Sequence, residues 1–186
     1  MIRKIFSVAL VCALTFTLAA CGNKYRIERE GMPDELKARL ENQIVAGEAL
    51  LAEATEDMDK VNALHEIAFA NEQLGYFDEA IPLYKQILGL YPTHYPALNN
   101  LGVIYEEVGE YETAAKYYGQ LLEANPTETK ILEDAIRALV AAGHYDDAQT
   151  NLESFIRYNQ DSASEIQSFI SNQFEFIRQA RLKTQQ

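Results

Sequence analysis

Cysteine occurs twice in 186 residues, histidine three times and tryptophan not at all. Both cysteines, Cys12 and Cys21, lie near the N-terminus, so no Cys/His cluster exists from which a metal site or redox motif is built. There is no HExxH, no GxSxG and no glycine-rich phosphate loop. The chain is therefore read as non-catalytic and without a cofactor. His65, His94 and His144 stand far apart in the sequence, and the HYDD run at 144–147 places Asp146 and Asp147 where they favour a helix start. Basic residues are also scarce, 16 against 28 acidic, for a formal net charge of −12. Such a surface is repelled by nucleic acid and by anionic headgroups, which excludes nucleic acid as an expected partner. Beyond residue 22 no run of about 18 or more apolar residues offers a membrane span.

The first twenty residues differ from the rest. Arg3 and Lys4 precede a stretch, residues 5–20, interrupted only by Ser7, Thr15 and Thr17, and small residues end it just before Cys21. That is the order of an export signal. Leu18-Ala19-Ala20-Cys21 resembles the lipobox of bacterial lipoproteins. The resemblance implies removal of residues 1–20, lipid on Cys21, and attachment to a membrane of the bacterial cell envelope. Gly22 in place of Asp implies, by analogy with enteric-type bacteria, the outer membrane facing the periplasm. An uncleaved signal anchor with a coincidental Cys is the alternative. Residues 21–33 read as a tether; about ten extended residues reach roughly 35 Å.

From residue 34 the pattern is helical. Leu36, Leu40, Ile44, Leu51 and Ala54 recur on one face, giving an amphipathic helix over residues 34–56 with Gly47 as its weak interior point. Then a period of 34 sets in. GYFDEAIPLY starts at Gly75, GEYETAAKYY at Gly109 and GHYDDAQTNL at Gly143. With Val61, Tyr95 and Thr129 as position 1, Leu64, Leu98 and Leu132 share position 4, and Ile67, Leu101 and Ala135 share position 7. The turn glycine is position 15. Phe77, Tyr111 and Tyr145 follow at 17, Ala80, Ala114 and Ala148 at 20, Tyr84, Tyr118 and Leu152 at 24, and Ile87, Leu121 and Phe155 at 27. Position 32 holds Pro92, Pro126 and Gln160.

This pattern resembles the tetratricopeptide repeat, a 34-residue helix-turn-helix unit. The resemblance implies an all-α, right-handed superhelical solenoid of three repeats, 61–94, 95–128 and 129–161. The third is degenerate, with Ile136, Leu152 and Gln160 off the pattern. Small residues let two helices cross, and Gly102 is expected to face Ala114 there. The aromatic residues at positions 11, 17 and 24 read as core, with Tyr117 outside the pattern. A last helix, 162–183, is expected to cap the array. Its signals are a capping box from Ser162 and Glu165, and a stripe of Ile166, Phe169, Ile170, Phe174, Ile177 and Ala180.

In this family the first helix of each repeat lines a concave groove that holds a protein or peptide. The corresponding residues include His65, Glu66 and Phe69 in the first repeat, Asn99, Asn100, Val103 and Glu106 in the second, and Lys130 and Arg137 in the third. Asn99 and Asn100 can pair with a peptide backbone. Some members clamp a C-terminal carboxylate; Asn100 and Lys130 match that pattern, whereas His65, Phe69 and Asp134 do not. Glu66, Glu72, Glu106 and Glu107 either make one rim acidic, favouring a basic or neutral partner, or form a solvated helix face. The expected function is a membrane-anchored adaptor or scaffold. The alternative is a structural subunit, docking into an assembly or a second copy through the Phe-rich last helix. The oligomeric state is not legible.

Overall fold

A computed structural model of the chain describes residues 24–162 and 166–185. The expected signal peptide, Cys21 and Glu165 lie outside the described residues, as does the capping box that Glu165 was expected to form. Among the described residues are eight α-helices and no strand. They are α1 (Asp34–Glu53), α2 (Asp57–Leu74), α3 (Phe77–Leu90), α4 (Tyr95–Glu107), α5 (Tyr111–Ala124), α6 (Thr129–Ala141), α7 (Tyr145–Tyr158) and α8 (Gln167–Lys183). None of them is long and apolar enough to cross a membrane.

Each helix packs on the next in chain order, α1 on α2 through to α7 on α8, with α8 also touching α6. That is a solenoid of three helical pairs, α2–α3, α4–α5 and α6–α7, closed by α1 and α8. The pairs are joined by one turn used three times. Gly75, Gly109 and Gly143 have φ of 78°, 79° and 81°. In each turn the glycine N–H donates to the carbonyl three residues back, and the next N–H to the one five residues back: Tyr76 to Asn71 (2.8 Å), Glu110 to Tyr105 (2.8 Å) and His144 to Leu139 (2.8 Å). This left-handed cap satisfies the last carbonyls of the first helix and aims the chain into the second. Pro92 and Pro126 follow the ends of α3 and α5.

The repeat positions that the period marks as apolar form the core. Leu98, Leu101, Tyr84, Ile87, Leu132, Ala135 and Leu152 are all fully enclosed, each large side chain stabilising the array by about 1.5–3 kcal/mol. Tyr111 is the exception; it is exposed, and only Phe77 of the position-17 residues is fully buried. Tyr117 is half-buried and stacks on Tyr105 at 5.6 Å.

Two glycines make room for neighbouring side chains. A Cβ on Gly102 would meet the Tyr118 ring at 2.5 Å, so this position makes room for a tyrosine side chain. Gly47 is buried in α1, and a Cβ there would lie 2.6 Å from Ile67 of α2. It is a close-approach point, not a weakness. Helix α8 begins at Gln167 rather than at Ser162; Ile170, Gln173 and Ile177 are buried, and Phe169 packs on Phe155 at 5.9 Å. Phe174 and Phe176 stay exposed.

The largest departure is at the N-terminal end of the described chain. Residues 24–31 were expected as part of a free tether, yet they lie extended along the turns of the first two repeats. Ile27 N–H donates to Gly75 O (2.9 Å) and Phe77 N–H to Tyr25 O (3.1 Å), an antiparallel bridge of Arg26 with Tyr76. Phe77 opens α3, so its N–H has no partner within that helix, and the strap supplies one. Tyr25, Ile27 and Arg29 are half-buried while Lys24, Arg26, Glu28 and Glu30 are exposed, the alternation of a strand with one face covered.

Candidate peptide-binding groove

The first helices α2, α4 and α6 carry the groove candidates. Position 9 is Phe69, Val103 and Arg137 in turn, and Phe69 and Val103 are each 40 % exposed. They are large apolar side chains left uncovered on helices whose opposite faces are fully packed. His65 stacks on Phe69 with ring centroids 6.2 Å apart and lies 6.0 Å from Tyr84. Its Nε2 is buried and has no hydrogen-bond partner. His94, distant in sequence, comes within 6.2 Å of it and caps α4 by accepting from Ala97 N–H at 3.3 Å. Burial pushes both imidazoles below their ordinary pKa; Glu66 opposes the shift at His65, and His65 adds to it at His94.

Behind this apolar row runs a hydrogen-bonded chain. Asn99 donates to Asn100 (3.3 Å), Asn100 to the Tyr84 hydroxyl (2.7 Å), and Tyr84 to Glu72 (2.6 Å). Glu72 is only 8 % exposed, and burial raises its carboxyl pKa while the Tyr84 hydrogen bond holds it down. Burial and the adjoining carboxylate raise that of Tyr84 well above the ordinary phenol range. The second repeat copies the link, with Tyr118 donating to Glu106 (3.1 Å). In the third repeat the same two positions hold Val140 and Leu152, so both polar partners are replaced together by apolar ones. That explains the departure of Leu152 from the pattern: with no acid opposite, a tyrosine hydroxyl would have no partner there.

The glutamates read either as an acidic rim or as a solvated face have partners within the chain. Arg137 grips Glu106 through Nε (2.5 Å) and Nη2 (3.0 Å) and also reaches Asp134 Oδ1 (2.7 Å), which Lys130 meets at the same oxygen (2.8 Å). These bonds, Glu106 foremost, raise the Arg137 pKa further above its ordinary value. Gln43 of α1 donates to Glu66 (2.5 Å), and Arg29 of the strap pairs with Glu107. All four glutamates read as a rim are thus engaged within the chain. Asn100 likewise donates to Tyr84 and accepts from Asn99, which leaves Phe69 and Val103 as the exposed apolar members of the set. Cys21 lies outside the described residues.

Comparison with known proteins bears on the repeat. Family models described as tetratricopeptide repeat match residues 59–127 and 105–172. Residues 59–172 are tetratricopeptide repeats. Among curated proteins none matches the sequence. Solved structures similar to the chain include a tetratricopeptide repeat protein from Parabacteroides merdae ATCC 43184, at 19 % identity and a TM-score of 0.59 over 81 % of this chain. The match spans 60 % of that protein. The MamA RS-1 ArsTM double mutant is similar at 13 % identity and a TM-score of 0.56, over 81 % of this chain and 93 % of its own. A putative kinesin light chain of Podosopora anserina, with nearly identical TPR-like repeats, has 18 % identity and a TM-score of 0.53 over the same shares. At such identities the likeness is one of fold. Repeats of this family bind protein partners generally.

Proposed function

We propose that the chain is a lipid-anchored, non-catalytic adaptor of the bacterial cell envelope that holds a protein or extended peptide on the face formed by α2, α4 and α6. The observation that carries this reading is the pair Phe69 and Val103, two large apolar side chains at one repeat position, both exposed, with Asn99 beside them. Burying the exposed 40 % of each under a partner would gain about 0.6–1.2 kcal/mol per side chain. Because Arg137 already neutralises Glu106 and Arg29 neutralises Glu107, the occupant of this face is a neutral, apolar segment rather than a strongly basic one.

The anchor is Cys21, on the strength of the leader that precedes it. With residues 24–31 docked, three links separate Cys21 from Lys24, about 10 Å of extended chain. An anchored molecule would therefore hold its turn edge close to the headgroups, not some 35 Å away. A second reading, docking through α8 into an assembly or another copy, is favoured by the exposure of Phe174 and Phe176.

The test is a cross-linked pull-down from intact envelopes, comparing the unaltered chain with Phe69→Asp/Val103→Asp and with Phe174→Asp/Phe176→Asp, each checked for native helicity. The adaptor reading expects one partner to be lost only with the first pair. Loss only with the second pair moves the function to α8. Separately, Cys21→Ala is expected to leave an unprocessed precursor; normal processing and attachment of that variant would contradict the anchor.

A further inference from the structure

The strap of residues 24–31 is bound the way a peptide ligand is bound. Its backbone pairs with Gly75 and Phe77, and the Tyr25 N–H donates to both oxygens of Asp78 (3.2 and 3.1 Å). Its cations each meet an acid: Lys24 with Glu110 (2.8 Å), Arg26 with Glu79 (3.6 Å) and Arg29 with Glu107. Its aromatic side chain has a seat, with Tyr25 edge-on to Tyr105 at 6.0 Å and its hydroxyl on Glu110 (2.7 Å). Arg26 lies over the Tyr76 ring at 3.7 Å and Arg29 over Phe77 at 5.5 Å. Backbone pairing gives affinity and alternate side chains give selectivity, the mode by which an extended peptide adds to an exposed edge.

The hold is of the kind that exchanges. The paired side chains keep between 34 % and 71 % of their surface in solvent, except Glu107 at 32 %, and surface ion pairs contribute about 0–1 kcal/mol each. The strap joins α1 through Gly31, whose φ is 78° and around which nothing lies within 4 Å of an added Cβ. That residue can serve as a hinge without steric cost.

We propose that the turn edge of the first two repeats, lined by Tyr76, Asp78, Glu79, Tyr105, Glu107 and Glu110, is a second binding site, distinct from the Phe69–Val103 face. It takes an extended basic segment of a partner protein, an aromatic residue flanked by Lys or Arg in alternation. The chain's own residues 24–31 occupy it until such a segment displaces them. The site stands whether or not the groove binds anything, since Phe69, Val103 and Asn99 take no part in it.

The experiment uses a fluorescein-labelled peptide of residues 23–32 as probe and the full chain in detergent, either unaltered or carrying Tyr25→Ala/Arg29→Ala in its own strap. A tethered segment competes at an effective concentration in the millimolar range. The strap-weakened chain is therefore expected to bind the probe at least tenfold more tightly than the unaltered one, and adding Glu107→Gln/Glu110→Gln is expected to reverse that gain. Equal affinity of the two chains, binding indifferent to Glu107→Gln/Glu110→Gln, or no binding at millimolar probe each overturns the proposal. Should the strap-weakened chain lose helicity, millimolar probe added to the unaltered chain is expected to shift the amide resonances of Gly75 and Phe77; unmoved resonances overturn it equally.

Discussion

Alanine at each of the three repeat-turn glycines separates two costs that coincide only at Gly75. All three residues share a left-handed backbone, with φ between 78° and 81°, and an L-residue there costs about 1–2 kcal/mol. At Gly109 and Gly143 an added Cβ meets nothing within 4 Å, so the backbone term is the whole effect. At Gly75 it would sit 2.1 Å from the carbonyl oxygen of Ile27, which forces the strap off its seat. The Ile27–Gly75 and Phe77–Tyr25 hydrogen bonds are then lost, at about 0.5–1.5 kcal/mol each. Gly75→Ala is therefore expected to destabilise by about 2–5 kcal/mol against about 1–2 for Gly109→Ala and Gly143→Ala. Urea unfolding at pH 7 measures all three. In a Tyr25→Ala/Arg29→Ala background the excess at Gly75 should shrink toward zero, because contacts already lost cannot be lost again. If the three single variants agree within about 0.5 kcal/mol, the strap is not seated on Gly75 in solution and the reasoning fails.

Other perturbations have equally definite outcomes. Gly119→Ala, at a helical position with nothing within 4 Å, should stabilise by up to about 1 kcal/mol; Gly102→Ala should destabilise, because overpacking against the Tyr118 ring costs about 1–3 kcal/mol. Comparing their urea midpoints shows whether the two signs differ. Glu72→Gln keeps an acceptor for Tyr84 and removes a buried charge; the raised Glu72 pKa means its ionised form opposes folding above the ordinary carboxylate range, so this variant should be more stable at pH 7, by an amount that shrinks as pH falls through the carboxylate range. Tyr84→Phe strips that carboxylate of its donor and should cost about 1–3 kcal/mol, read by the same melts. His65 and His94 have lowered values, so the stability they contribute is present above about pH 6.5 and is lost as pH falls through their folded values. The urea midpoint should drop between pH 7.5 and 5.5, each histidine accounting for at most about 1.4 kcal/mol per pH unit below 6.5; a flat profile would show that their burial is not maintained.

The 34-residue period made the solenoid legible because each repeat buries the same positions, and Leu64, Leu98 and Leu132 are buried as their register requires. What the period could not reveal are contacts that cross registers. His65 and His94 share no repeat position, yet the second ends one unit where the first lies inside it, so stacking brings them together. The Tyr84–Glu72 and Tyr118–Glu106 links were open to discovery, since both residues of each pair vanish together in the third repeat. Which of the two readings of the rim glutamates holds was not legible, because a glutamate's partner is invisible in one sequence: Arg137 and Arg29 lie 31 and 78 residues from the acids they bind. The strap did leave a signal. Tyr25, Ile27 and Arg29 alternate with Lys24, Arg26, Glu28 and Glu30, a strand-like period of two in a segment read as polar and without periodicity.

The account turns on residues 24–31 being part of the folded array instead of a free tether. Amide hydrogen exchange at Ile27 and Phe77 tests this most directly, since each donates to the other segment's backbone. Docking predicts exchange at both amides slowed by tenfold or more relative to the Tyr25→Ala/Arg29→Ala chain. Exchange at Ile27 at the rate of an unstructured peptide, unchanged by those substitutions, would contradict it.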